Sequence, residues 1–343
     1  MADEILLKHV PEDFVVRESM AVRLVPKEAA TYRYVLVRKR GYTTMEACRL
    51  LADHLGVASR DIGYGGLKDE DGITEQLFAI PVGLLPDAKL DRPWRLAGSE
   101  ARWIDLLHYG FGAEPIGIGQ LEGNGFNLTI RNVGEESATR MAARRKIPSF
   151  FLNYYDIQRF GVPGGPKRAH LVGAAIAAGD WSSALRELAG LNAPESPAAR
   201  DWAGSPQEFF RTMDPRTVSF FLAAMSSFKW NAALRSAVVH ACGPENCVET
   251  CVEGIDYTYV RSGEAVARLV GHASALPYGR YEFVDGRAEV KTSTRSTGIQ
   301  TEAHIGSAAP DPAFPSRFMV NMRFFLPSGC YATAFIRQFA GYQ

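Results

Sequence analysis

Strand-like alternation occurs at both ends of this chain with a helical stretch between, and that order restricts the fold more than any other feature. Residues 32–38, Tyr-Arg-Tyr-Val-Leu-Val-Arg, alternate as a strand, and residues 75–81 predict another that Pro81 ends. Residues 124–131 alternate most clearly. Phe126, Leu128 and Ile130 take one face and Asn127, Thr129 and Arg131 the other. Residues 320–326 repeat the pattern before Pro327. In the middle, residues 167–178 and 181–190 are Ala-rich and helical, and Asp214-Pro215 opens a long helix towards His240. One helix is expected in the strand-rich N-terminal part, over residues 43–56. Thr43 and Glu46 fit a capping box, Met45, Cys48, Leu51 and Leu55 share a face, and Gly56 suits the position after the last turn. Residues 285–318 carry little apolar periodicity and read as a long loop or linker. The expected class is α+β, with one domain interrupted by another.

The chain's 343 residues suffice for two domains, or for one domain with an insertion. No apolar run reaches the length of a membrane span. The start, Met-Ala-Asp-Glu-Ile-Leu-Leu-Lys, lacks a signal-peptide pattern, so a soluble cytoplasmic protein with no membrane partner is expected. Five scattered cysteines fit reduced thiols in a cytosol. His240, Cys242, Cys247 and Cys251 lie close in sequence but lack the Cys-x-x-Cys knuckle, and no metal site is expected there. Lys and Arg total 38, as do Asp and Glu. A zero balance counts against a large nucleic-acid footprint, because phosphate neutralisation supplies much of such affinity. A local basic groove is still compatible with it.

Chemistry concentrates in residues 65–81, Gly-Gly-Leu-Lys-Asp-Glu-Asp-Gly-Ile-Thr-Glu-Gln-Leu-Phe-Ala-Ile-Pro, a polar loop between the predicted helix and a strand. A loop held between rigid elements is a common seat of catalytic groups. The stretch resembles the signature Gly-x-Lys-Asp-x-x-(small)-x-Thr-x-Gln of the TruD family of pseudouridine synthases. Five further segments resemble that family, in its order. They are Leu7 to Val16 with its Pro11-Glu12-Asp13-Phe14, Gly119 to Phe126, Asn153 to Gly161, Ser219 to Leu222 with Asn231, and Arg323 to Thr333. Together they reach from Leu7 to Thr333, nearly the whole chain.

The resemblance implies a pseudouridine synthase catalytic domain on a mixed, largely antiparallel sheet, over 1–145 and 300–343. A TruD-type insertion domain would occupy 146–299. It also implies isomerisation of uridine to pseudouridine in RNA, with tRNA position 13 as the family's usual target. That reaction involves no redox step or group transfer, so no cofactor is expected. By the same resemblance Asp69 is the catalytic carboxylate, acting as nucleophile or base. Lys8 is the cation beside it, which would hold it ionised. Phe126 would stack on the target base, and Asn124 would orient the loop or the ribose. Lys68, Thr74 and Gln76 belong to the loop, and Arg159 is a candidate phosphate or structural contact. Packing also accounts for some of these. Lys8 reads as a solvated lysine too, Phe126 shares a face with Leu128 and Ile130, and Arg159 suits an ion pair. Glu12 and Asp13 fit a solvated turn.

Departures from the family pattern bear on the substrate. Residues 109–119 carry no Lys or Arg where the family has several, Glu122 stands where Lys is frequent, and Tyr155-Asp156 replaces Phe-Gly. These losses open a second expectation, the same isomerisation on another RNA or on a free uridine nucleotide. A third is a non-catalytic RNA-binding protein, which would not need the Asp69 carboxylate. If full-length tRNA is bound, Arg144, Arg145, Lys146, Arg159, Lys167 and Arg168 are the expected basic cluster.

Overall fold

The computed structural model describes residues 6–68, 70–84, 94–117, 120–261, 265–266 and 275–341. The chain divides into two compact units, Met1–Pro148 with Thr301–Gly329, and Ser149–Gln300 with Cys330–Gln343.

In the first unit β1 (Phe14–Ser19) is followed by β2 (Tyr32–Arg40), α1 (Thr44–Leu55), β3 (Gly63–Tyr64), β4 (Ile73–Pro81), β5 (Trp94–Gly98), β6 (Trp103–Gly112), β7 (Gly123–Val133) and α2 (Glu135–Ala143). The chain leaves along β8 (Lys146–Leu152). In the second unit come α3 (Ala169–Ala177), α4 (Trp181–Ala189), α5 (Ser196–Asp201), α6 (Pro206–Thr212), α7 (Pro215–Cys242), β9 (Cys247–Val252), β10 (Ile255–Val260), β11 (Ala275–Val284) and β12 (Arg287–Ser296). The chain returns along β13 (Gly298–Pro310) to β14 (Phe318–Pro327), and α8 (Ala332–Gly341) belongs to the second unit.

The large sheet runs β5-β6-β2-β4-β1-β7-β14-β13-β8, with β3 on β4. Its β1/β4 pair is parallel, and the neighbouring pairs β2/β4, β2/β6, β1/β7, β7/β14 and β13/β14 are antiparallel. The fold is thus α+β with a mixed, mostly antiparallel sheet. A parallel pair needs a crossover connection, and here β2 and α1 supply it. Capping holds α1 where it starts. Thr43 accepts from the Glu46 amide, Glu46 answers the Thr43 amide, and Gly56 closes the helix at φ +70. The buried stripe of α1 differs from the expected one. Ala47, Cys48, Leu51 and Ala52 pack on Val35, Val37, Phe78 and Ile80, whereas Met45 is exposed. The helix sits deeper on its Ala47–Leu51 side, so the first-turn methionine falls outside the contact.

The Pro11-Glu12-Asp13-Phe14 turn is not a solvated turn, because Asp13 is buried. Arg131 on β7 bridges Asp13 at 2.7 Å and Asp311 at 2.9 Å, and the side chains of both aspartates are almost wholly buried. Burial alone would push the Asp311 carboxyl up. Hydrogen bonds from the Ala313 and Asn132 amides and from Arg131 outweigh it and hold the group below the ordinary carboxylate range. A depressed folded value contributes stability that is present above the ordinary pKa, about 4, and lost as pH falls through the folded value. Asp311→Asn is therefore expected to cost about 3 kcal/mol at neutral pH. Melting curves recorded against pH should show the variant losing less stability than the parent on acidification. A parallel fall in both would remove this staple as a source of acid lability.

Residues 285–318 are mostly strand, not one long loop. β12 pairs along its length with β11, and β13 with β14. β12 is exposed almost throughout, so it carries no apolar alternation, and its ladder is made of backbone groups. The turn before it held the signal. Asp285-Gly286 takes φ +49 and +76 between Val284 and Arg287, the left-handed pair a tight hairpin requires. Glu253-Gly254 does the same between β9 and β10.

The second unit is built round α7, which buries Val218, Phe221, Leu222, Met225, Trp230 and Leu234. Gly173 lets α3 lie against it, since a Cβ there would stand 2.0 Å from the Phe221 carbonyl oxygen. Asn231 bonds both the amide and the carbonyl of Tyr155, at 3.0 and 2.9 Å. Asp156 is a buried carboxylate that accepts from Thr333 and, at 2.8 Å, from Arg337, both on α8. The Tyr155-Asp156 departure is thereby matched by polar partners within its own unit. Among the described residues no helix is long and apolar enough to cross a membrane.

Candidate functional site

Cross-strand register assembles the site. Partners directly opposite each other on a sheet share a face. Lys39 pairs with Thr74, Thr74 with Val16, Val16 with Phe126 and Phe126 with Phe324. One step along, Val37 pairs with Gln76, and Glu18 with Asn124. A single face of the first unit's sheet therefore carries Lys39, Thr74, Gln76, Glu18, Asn124 and Phe126. The loop from Gly66 to Glu70 is anchored to that face.

Asp69 itself lies outside the described residues; its two neighbours do not. The Lys68 amide donates to Thr44 Oγ1 at 2.9 Å, and Thr44 donates in turn to Gln76 Oε1 at 2.8 Å. Gln76 Nε2 donates to the Gly66 carbonyl at 3.1 Å. Lys39 Nζ donates to the Lys68 carbonyl at 3.3 Å and to the Tyr42 carbonyl at 2.7 Å. The Gly41 amide donates to the Glu70 carbonyl at 3.1 Å. Backbone groups of the loop are thus fixed on both sides of position 69. Gly72, the small residue of the motif, allows the loop to enter β4, because a Cβ there would stand 2.3 Å from the Phe14 carbonyl oxygen.

The electrostatics are equally specific. The Lys68 ammonium meets Glu18 Oε2 at 2.7 Å, with the two side chains only 5% and 2% exposed. Its charge is answered inside the protein. Lys39 is 0% exposed. Two polar atoms of this face, Thr74 Oγ1 and Asn124 Oδ1, are buried and have no hydrogen-bond partner among the described residues. Buried polar atoms are nearly always paired, so these two call for a donor that the described residues do not supply.

An aromatic row flanks these groups. Phe126 stacks on Phe324 with centroids 5.2 Å apart and meets the edge of Phe14 at 6.0 Å. Lys8 places its ammonium 4.3 Å above the Phe14 ring. It does so from a left-handed backbone, φ +59, a conformation that costs a non-glycine residue about 1 kcal/mol.

The structure thus brings Lys68, Thr74, Gln76, Asn124 and Phe126 onto one sheet face, with Lys8 at its aromatic border. Arg159 lies in the second unit, mostly buried, with its guanidinium 3.0 Å from the Tyr331 hydroxyl. Sequence reasoning missed Glu18 and Lys39. The basic residues expected to form a cluster are largely engaged. Lys146 pairs with Glu302, and Arg168 with Glu187. Lys167 is buried with its ammonium on the Val162 carbonyl. Arg144 and Arg145 are exposed. Cys247 and Cys251 sit four residues apart on strand β9, roughly 13 Å at a strand's rise. Among the described residues no three His, Cys, Asp or Glu side chains are grouped to hold a metal ion.

Comparison with known proteins agrees with this architecture. The crystal structure of a TruD-type protein from Methanosarcina mazei superposes with a TM-score of 0.60, covering 97% of this chain and 93% of that one at 19% identity. The tRNA pseudouridine synthase D of Geotalea daltonii is 35% identical over 191 residues, 54% of this chain and 44% of the relative. That of Aquifex aeolicus is 29% identical over 160 residues, 46% and 40% of the two chains. The matched region spans less than half the length of these curated relatives. The profile of the family described as tRNA pseudouridine synthase D (TruD) matches residues 4–218, more than half of the chain and including the whole sheet face from Lys8 to Phe126. By that match the chain belongs to the TruD family.

Proposed function

We propose that this protein isomerises uridine to pseudouridine in RNA, with tRNA as the substrate and Asp69 as the catalytic carboxylate. The observation that carries the reading is the anchored loop. Hydrogen bonds hold Lys68 and Glu70, the neighbours of Asp69, beside a face where two buried polar atoms have no partner among the described residues. In the reaction the N1–C1′ bond breaks and the C5–C1′ bond forms. C5 loses a proton and N1 gains one, so atoms and charge balance without a co-reactant. Asp69 attacks C1′ or removes the C2′ proton. Lys8 and Lys39 supply positive charge that favours its ionised form. Phe126 borders the uracil, and Asn124 and Thr74 offer their free atoms to base or ribose. Lys68, Thr74 and Gln76 shape the loop, while Arg159 serves the second unit. On this reading the first unit is the catalytic domain, the second is the TruD-type insertion, and the protein works in the cytoplasm.

A second reading, the same reaction on another RNA or a free uridine nucleotide, is favoured by the engaged basic residues. Lys146, Lys167 and Arg168 each have an internal partner, so half of the six basic residues expected to line a groove are engaged. Release of tritium from C5-labelled tRNA and from C5-labelled uridine monophosphate separates the two. Turnover on tRNA should fall steeply with salt, as counterion release requires. Turnover on the nucleotide alone supports the second reading, and release from neither of these nor from C5-labelled total RNA overturns the isomerase.

A further inference from the structure

Lys39 lies in the run Arg38-Lys39-Arg40, yet its neighbours and it differ completely. Arg38 reaches Glu75 at 3.3 Å and Arg40 reaches Glu12 at 2.5 Å, each in an ion pair with at least one partner substantially exposed. Lys39 points to the other face and is wholly buried. A lysine pays heavily for leaving water, and such burial persists where the ammonium has polar partners. Its ammonium bonds the Tyr42 carbonyl, in the turn before α1, and the Lys68 carbonyl, in the loop. Tyr42 and Lys68 are 26 positions apart in sequence, and the Lys39 ammonium bonds the carbonyls of both. Gly41, also in that turn, donates to the Glu70 carbonyl. The turn and the loop are therefore tied by one buried ammonium and one amide, on either side of position 69.

We propose that Lys39 is a positioning residue for the Asp69 loop, a buried cationic clamp that holds the Lys68 carbonyl and so fixes the peptide leading into Asp69. This rests on the pseudouridine reading only for its catalytic consequence; the clamp itself is a property of the loop. A methionine at 39 keeps the length and volume of the side chain and removes the bonds. Without the clamp the loop samples other positions, and near-attack geometry is lost while the substrate surfaces stay intact. Lys39→Met is thus expected to lower kcat about 30-fold with KM changed less than about threefold. Amide exchange of a peptide covering residues 66–72 should rise about tenfold or more, with β6 and β7 unchanged.

Val37→Ala is the control, because Val37 is buried on the same strand and face but has no bond to the loop. It loosens the core without removing the clamp, so it should leave loop exchange and the kcat-to-KM pattern near those of the parent. If Lys39→Met does not yield folded protein, Lys39→Leu, which likewise has no donor, carries the same comparison. Unchanged loop exchange in a folded Lys39 variant overturns the clamp, as does an equal rise in Val37→Ala. Parent protein inactive on every uridine substrate counts against the isomerase reading instead, and the exchange measurement still decides the clamp.

Discussion

Asp69→Asn is expected to lower pseudouridine formation by about 10⁴-fold while leaving substrate affinity within a few-fold of the parent. Asparagine has the size of aspartate but neither its nucleophilicity nor its basicity. The bonds that anchor the loop use backbone groups of Lys68 and Glu70, and the substitution leaves all of them in place. Single-turnover tritium release and a binding titration with the same RNA check the two halves separately. Turnover within tenfold of the parent would remove Asp69 from the reaction. Loss of binding together with turnover would mean that the side chain organises the surface rather than the chemistry.

Glu18→Gln should produce the largest loss of stability. It leaves the Lys68 ammonium in a nearly dry site without its counter-charge, at a cost of about 3–5 kcal/mol. For a protein of this size that corresponds to a fall of about 4–7 °C in melting temperature. A double variant, Glu18→Gln with Lys68→Met, should recover much of the loss, because the uncompensated charge is then absent. Calorimetry of the two singles and the double closes the cycle. Additive losses would show that the pair does not act as a unit.

How much of this was legible in the sequence depends on which face a charged residue takes. The capping box of α1 and strands at 32–38, 75–81, 124–131 and 320–326 follow from local pattern, and the structure has them, each strand longer by two or three residues. Glu18 follows Arg17, and Lys39 stands between two arginines. Read alone, each looks solvated, and only the register opposite Asn124 and Thr74 turns it inward. Arg159 sits in a motif shared with the family, but motif order does not reveal which unit a side chain serves. β12 escaped because an exposed strand needs no apolar residues, although Asp285-Gly286 announced its hairpin.

The position of α8 has a consequence for how the chain is made. Thr333 and Arg337 bond Asp156, and Gln338 bonds both the amide and the carbonyl of Leu152, at 2.7 and 2.9 Å. These partners are some 180 residues apart. During synthesis the segment from 149 to 300 emerges well before them, at a time when the Asp156 carboxylate has no arginine. The second unit must wait, incompletely closed, until α8 leaves the ribosome. The first unit likewise waits for β13 and β14. Both units are completed only by the stretch from β13 to α8, so a nascent chain stalled before it offers unfinished surfaces to chaperones and proteases.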